Sequence, residues 1–229
     1  MPARAFRPLR CCGAAAALAL AAAAPGCGSA TLAELPPAAA PRDAPPVATA
    51  PAGRVVPPRA APREIANGLN VPESRIPVDH GARFAVVRPR ERVVELFDAR
   101  GGRLGRADAG VGPTRAISND RWLWVTDTQG DALLVFRVRP KLELVRRVFL
   151  PRGPYAVALD TSKLRLWVTL TGTNEVVELP ANGRPRPLRR FPTVRQPDAV
   201  AVDSRTHRVF VGGRRELQAF DPGPLPPGG

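Results

Sequence analysis

From about residue 75 onward the chain reads as short apolar runs cut by clusters of Gly, Asn, Asp, Thr and Pro. "LRLWVTL" (Leu164–Leu170) and "NEVVEL" (Asn174–Leu179) flank a Thr-Gly-Thr-Asn turn, the pattern of a β-hairpin. Apolar residues fall on both faces of these runs, as expected of strands covered on two sides. The hairpin is one copy of a repeat. Trp124 lies 43 residues before Trp167, and Phe210 a further 43 on. Asp131 and Asn174, and Pro154 and Pro197, keep the same interval of 43. Self-similarity at 40 to 45 residues with several short strands per unit predicts a β-propeller.

Each unit parses as four strands: in the third, "YAVALD", "LRLWVTL", "NEVVEL" and "RPLRRFP". Units meet at turns ending in proline, Gly112-Pro113, Gly153-Pro154 and Gln196-Pro197, with Val71-Pro72 as a fourth junction. "REIANGLNV" (Arg63–Val71) then stands as an outer strand without a unit, while the last unit stops after "ELQAFD" without an outer strand. The expected fold is therefore all-β: a propeller of about four blades of four antiparallel strands over residues 63–222, closed by an N-terminal strand that completes the last blade. Complementary ends favour a closed monomeric ring over an arc that pairs with a second copy.

A proline-led apolar strand ending in Asp, then "LWVT", a Thr/Gly/Asn turn and "NEVVEL" resemble the YVTN-type β-propeller repeat, related in layout to NHL repeats, over roughly residues 63–221. The resemblance implies a propeller on an exported or surface protein. That pattern fixes strands and turns rather than chemistry, so it carries no functional residue across.

The N-terminus changes the picture of where the domain works. Arg4, Arg7 and Arg10 precede the apolar "CCGAAAALALAAAA" (Cys11–Ala24), too short for a comfortable span and patterned as a signal peptide over residues 1–26. "APGC" (Ala24–Cys27) resembles a bacterial lipobox, which would make Cys27 a lipidated N-terminus and the only cysteine of the mature chain. Ordinary cleavage near Gly28–Ala30 would instead discard Cys27. Residues 27–62 read as a Pro/Ala-rich disordered linker and 223–229 as a disordered tail. The expected location is extracytoplasmic, lipid-anchored at the cell membrane or secreted.

The net charge of +14 comes from 32 Arg against only 2 Lys, an imbalance that a GC-rich coding bias produces along with the heavy Ala, Pro and Gly usage. Aromatic residues interleaved for base stacking are absent and Tyr155 is the sole tyrosine, so nucleic acid is not expected as a partner. His80 and His207 are the only histidines and have no metal-ligand spacing, and no nucleophile elbow or phosphate loop occurs. No cofactor, metal or catalytic residue is expected. Asp79, Asn119, Asp160 and Asp203 share a register place after the first strand and read as turn formers, as do Asp131 and Asn174 between the second and third strands. Arg115, Tyr155 and Asp198 sit at matched places right after the junction prolines (Tyr155 and Asp198 one residue on, Arg115 two) and differ in chemistry where the framework repeats, which makes them the candidate ligand-binding residues. The expected function is a non-enzymatic binding or scaffolding module for a protein or envelope polymer; the alternative is an exported hydrolase or lyase using carboxylates at the channel mouth. Cys27→Ser is expected to move the exported chain from the membrane pellet to the soluble fraction and to abolish labelling by an alkyne fatty acid. An unchanged pellet and label would leave Cys27 without that role.

Overall fold

A computed structural model describes residues 40–57 and 75–225. The segment read as a signal peptide, Cys27 and the strand expected over Arg63–Val71 lie outside the described residues. The strands form four antiparallel four-stranded sheets. The first blade is β2 (Ile76–Val78), β3 (Arg83–Arg88), β4 (Val93–Asp98) and β5 (Arg103–Asp108). The second is β6 (Pro113–Ser118), β7 (Trp122–Asp127), β8 (Ala132–Arg137) and β9 (Glu143–Phe149). The third is β10 (Pro154–Asp160), β11 (Arg165–Leu170), β12 (Glu175–Pro180) and β13 (Arg189–Pro192). The fourth holds β14 (Ala199–Val202), β15 (Val209–Gly212) and β16 (Leu217–Phe220), with β1 (Arg54–Val56) as its outer strand.

The repeat places equivalent side chains in equivalent interfaces. Trp124 joins Leu133 and Val135 against Leu166, Val168 and Val177 of the next blade. One unit on, Trp167 does the same against Val200, Val209 and Phe220, with its ring 6.1 Å from that of Phe220 and edge-on. Both tryptophans are core rather than binding surface, since they are 0% and 2% exposed. Phe210 holds the same register place in the fourth blade and is also buried. On the first blade, Val86, Val93 and the Glu95 carboxylate are buried on the face turned away from the second blade. Glu95 is held by Arg88 at 3.2 Å and Arg103 at 3.1 Å, and the Arg88 hydrogen bond first of all keeps its carboxyl below the ordinary glutamate range.

The turn residues divide by what their side chains hold. Asn119, Asp160 and Asp203 do what their spacing predicts: each Oδ1 accepts two backbone N–H groups from the following residues. Asp79 departs from them, for its carboxylate pairs with Arg83 at 3.5 Å and Arg139 of the second blade at 2.5 Å. Asp131 and Asn174 do more than form turns. Asp131 Oδ1 accepts the N–H of Gly153 at 2.9 Å, and Asn174 Oδ1 that of Gln196 at 2.8 Å. Gly153 and Gln196 immediately precede the junction prolines, so these side chains clamp the passage from one blade to the next. The arginines of the outer strands are also tied inward: Arg147 to the fully buried Asp127 at 3.1 Å, Arg189 to Glu178 at 2.6 Å and Arg190 to Glu175 at 3.0 Å.

The fourth blade is closed by an N-terminal strand, but it is β1 that does so, inside the segment read from sequence as linker. Arg54, Val55 and Val56 pair with Ala219, Gln218 and Leu217. Before it the chain runs as a strap over the face that carries the blade junctions. Arg42 N–H reaches Thr171 Oγ1 at 3.1 Å, its guanidinium pairs with Asp131 at 3.2 Å, and Asn174 Nδ2 donates to the carbonyl of Pro45 at 3.0 Å. Prolines deny N–H donors to a sheet, but here partner side chains bind the carbonyls that prolines keep. Composition alone therefore misjudged residues 40–57. The start of the segment read as tail is likewise held, because Arg189 donates to the carbonyls of Pro222, Gly223 and Pro224.

Gly53 aims the chain into β1 with φ of +69°, and a Cβ there would lie 2.5 Å from Ala219 O and Phe220 Cβ. Gly81 has φ of +83° with no atom near its missing Cβ. Gly81→Ala is expected to cost about 1 kcal/mol of backbone strain, whereas Gly53→Ala should cost about 2–4 kcal/mol through strain plus overlap. Urea denaturation of the two variants checks this; equal losses would mean that β1 does not seal the fourth blade.

Candidate binding site on the inner strands

The innermost strands of a propeller line its central channel, and here β6 and β10 are both irregular at the junction end. Pro113 pairs with Asp127 and Ala116 with Val125, so β6 carries one residue more than its partner. β10 does the same between Pro154 and Val157. Such bulges leave backbone groups off the ladder and re-aim side chains. A buried threonine one strand out takes up the unpaired groups. Thr126 Oγ1 accepts the Arg115 N–H at 3.0 Å and donates to the Tyr155 carbonyl of the next blade at 2.7 Å. In the third blade Thr169 Oγ1 accepts the Ala156 N–H at 2.9 Å. Gly212 stands at that place in the fourth blade; β14 has no bulge, and Asp198 N–H bonds the Gly212 carbonyl at 3.0 Å.

Arg115 and Tyr155 thus sit on bulges and Asp198 just ahead of β14. The structure brings all three together. The Arg115 guanidinium carbon stands 5.9 Å from the Tyr155 ring centroid. Burial raises the affinity of the Tyr155 phenol for its proton; the Asp198 charge adds to this and Arg115 opposes it. Burial also pushes the Asp198 carboxyl above the ordinary aspartate range, against the pull of its own backbone N–H, Arg115 and Arg214. Arg214, in the turn between β15 and β16, belongs to the same cluster. Sequence reasoning missed it because that turn matches its counterparts poorly. The buried threonines were legible as the recurring Thr of "WVT", but only as strand residues, since nothing local marks the bulge they serve.

The cluster offers two guanidinium groups, a phenolic hydroxyl and one carboxyl. It can hold a ligand's acidic or carbonyl oxygen against Arg115 and Arg214 while Asp198 accepts a hydrogen bond from a ligand hydroxyl or amine. The histidines lie elsewhere, at the opposite ends of the sheets: His80 Nδ1 is 3.2 Å from Asp120, and His207 Nδ1 is 2.8 Å from Asp160. Among the described residues no three His, Cys, Asp or Glu side chains gather as they would around a metal ion.

No family model matches the chain, and no curated protein matches it. Solved structures do. The hydrazine synthase of Kuenenia stuttgartiensis superposes with a TM-score of 0.58 at 16% identity, over 67% of this chain and 46% of that one. Dihydro-heme d1 dehydrogenase NirN gives 0.56 at 21% identity, over 66% and 34%. A functionally unknown protein from Desulfotomaculum acetoxidans gives 0.55 at 10% identity, over 64% and 50%. The chain is a β-propeller. The propeller spans about a third to a half of the length of these three proteins, and at such identities the likeness is one of fold alone.

A carboxyl whose proton affinity rises on folding favours the folded state while protonated. That contribution is lost as pH climbs from the ordinary aspartate pKa, about 3.9, through the raised value. Asp198→Asn is therefore expected to melt above the parent at pH 7, with the gap closing below about pH 3.9. Thermal melts at pH 7 and pH 3 read this directly, and a variant that melts lower at pH 7 would contradict the burial of the ionised group.

Proposed function

We propose that the propeller is a non-enzymatic, extracytoplasmic binding module, tethered to the cell envelope through lipid on Cys27, with its ligand seated at Arg115, Tyr155 and Asp198. One observation carries the reading: Tyr155 and Asp198 at one register place and Arg115 at the next, from three blades, differ in chemistry from their counterparts, and their side chains converge beside Arg214. A position under framework constraint alone would repeat, as Trp124 and Trp167 or Thr126 and Thr169 do. The mixture of cations, phenol and carboxyl suits a ligand with both acidic groups and hydroxyls, such as an envelope polysaccharide or a polar protein surface.

Two probes test this: oligogalacturonate, which presents carboxylates and hydroxyls together, and soluble peptidoglycan fragments. Hydrogen bonds to charged groups contribute about 1.5–3 kcal/mol, so Arg115→Ala should weaken binding by roughly 10- to 100-fold in calorimetry. Binding that is undiminished in Arg115→Ala, or absent for both probes, overturns the site. New reducing ends or an unsaturated product, lost in Asp198→Asn, would replace the binding module with a hydrolase or lyase.

A further inference from the structure

A cavity of about 480 Å³ opens between the third and fourth blades, on the face opposite the blade junctions. Its origin lies in how the fourth blade is built. One interface earlier, the turn between β12 and β13 covers the second blade: Asn182 carbonyl accepts the Trp124 indole N–H at 3.2 Å, and Gly183 packs so closely that a Cβ there would meet the Trp122 ring at 2.5 Å. The fourth blade takes its outer strand from the N-terminus, so β16 has no such turn after it. Asp221–Leu225 passes there instead. Trp167, in the register place of Trp124, is buried and lines the cavity, and its indole N–H has no partner among the described residues. Arg165 stands where Trp122 stood, and no described residue covers it in the same way. A buried donor without an acceptor is a rare state that calls for a ligand or an ordered water.

The chemistry of the walls narrows the occupant. Most charged groups are matched within the walls: Arg165 and Arg189 both hold Glu178, at 3.5 and 2.6 Å, and Asp160 holds His207, while Lys163 and Asp221 add one cation and one anion that form no ion pair among the described residues. A ligand entering here meets a neutral, partly aromatic site in which Trp167 leans on Phe191 at 5.7 Å. Arg189 shows what the site takes. Its guanidinium binds successive main-chain carbonyls of Pro222, Gly223 and Pro224, a proline-rich stretch. Prolyl segments keep every carbonyl and lose N–H donors, and aromatic-lined grooves recognise their preformed extended helix.

We propose that this inter-blade cavity is a docking site for a proline-rich extended peptide from another molecule, which takes the place of Asp221–Leu225 on the Arg189 guanidinium, with a main-chain carbonyl accepting the Trp167 indole N–H. The site is separate from the Arg115 cluster and does not depend on that reading.

The test follows the indole N–H signals of the full ¹⁵N-labelled chain during titration with acetyl-hexaproline amide, with an acetylated Gly-Ser hexapeptide amide as control. The Trp167 signal is expected to shift saturably while those of Trp122 and Trp124 stay in place. Trp167→Phe, which keeps the aromatic wall and removes the donor, should reduce affinity at least tenfold. Arg189→Lys keeps a cation beside Glu178 but cannot span several carbonyls, and it should reduce affinity comparably; it tests the anchor even if the tryptophan variant does not fold. A Trp167 signal that stays still at saturating probe, equal shifts with the control peptide, a response to phosphate in place of peptide, or undiminished binding by Arg189→Lys would each overturn the proposal.

Discussion

The fourth sheet has no outer strand of its own, and β1 supplies it from the other end of the described chain. This exchange shapes most of what is particular to the molecule. It requires the chain to arrive at β16 from outside, which draws residues 40–52 across the junction face and fixes them there through Thr171, Asn174, Arg195 and Gln196. It requires a glycine at position 53, where the backbone turns left-handed against Phe220. It also removes the turn that would follow β16, which exposes the space beside Trp167. A strand pairing of three residues would be marginal alone. It holds because Gln218, fully buried at the centre of β16, donates at once to the carbonyls of Ala52 and Pro192, joining the strap, the third blade and the fourth.

Between neighbouring blades, apolar packing and a small set of polar links share the load. The cores are largely aliphatic, with Phe136 in the first interface, Trp124 in the second and Tyr155, Trp167 and Phe220 in the third, which gives area but little specificity of register. Register comes from the polar links. Thr126 ties β6 to β10, Thr128 donates to the Pro154 carbonyl at 2.7 Å, and Asp131 and Asn174 capture the junction N–H groups. All are buried or partly buried, where an unpaired group costs more than a paired one contributes. A blade shifted by one residue would leave several such groups unpaired together. The same links place the bulges, and the bulges place Arg115 and Tyr155.

The repeat, the number of blades and the identity of the core positions were legible in the sequence because each depends on a pattern that recurs: Trp124 and Trp167, Pro154 and Pro197, Asp131 and Asn174. The existence of a closing strand was legible too, as an imbalance between the two ends. Its location was not. "GRVV" is a weak strand signal between prolines, and its pairing is decided by Gly53 and by Gln218, whose bond to Ala52 spans 166 residues of chain. The candidate site shows the same split. Divergence at Arg115, Tyr155 and Asp198 could be read position by position, but their convergence depends on bulges set by a threonine on the neighbouring strand. The cavity beside Trp167 was not read, although its cause, the outer strand missing from the last unit, was.

The two sites lie at opposite ends of the strands, and this has a physical consequence. Arg115, Tyr155 and Asp198 sit at the junction end, on the side crossed by the 40–52 strap. Trp167, Arg189 and His207 border the cavity at the other end, on the side held by Asp221–Leu225. What connects them is the rigid interior of the third blade, in which Thr169, Val176 and Leu179 are fully buried. Such packing transmits steric change poorly unless an element has two arrangements, and none of the strands between them has a partner it could exchange. A ligand at one end should therefore act independently of a ligand at the other. On the two proposals above, the two faces would be filled without interfering with one another, which is what a scaffold requires.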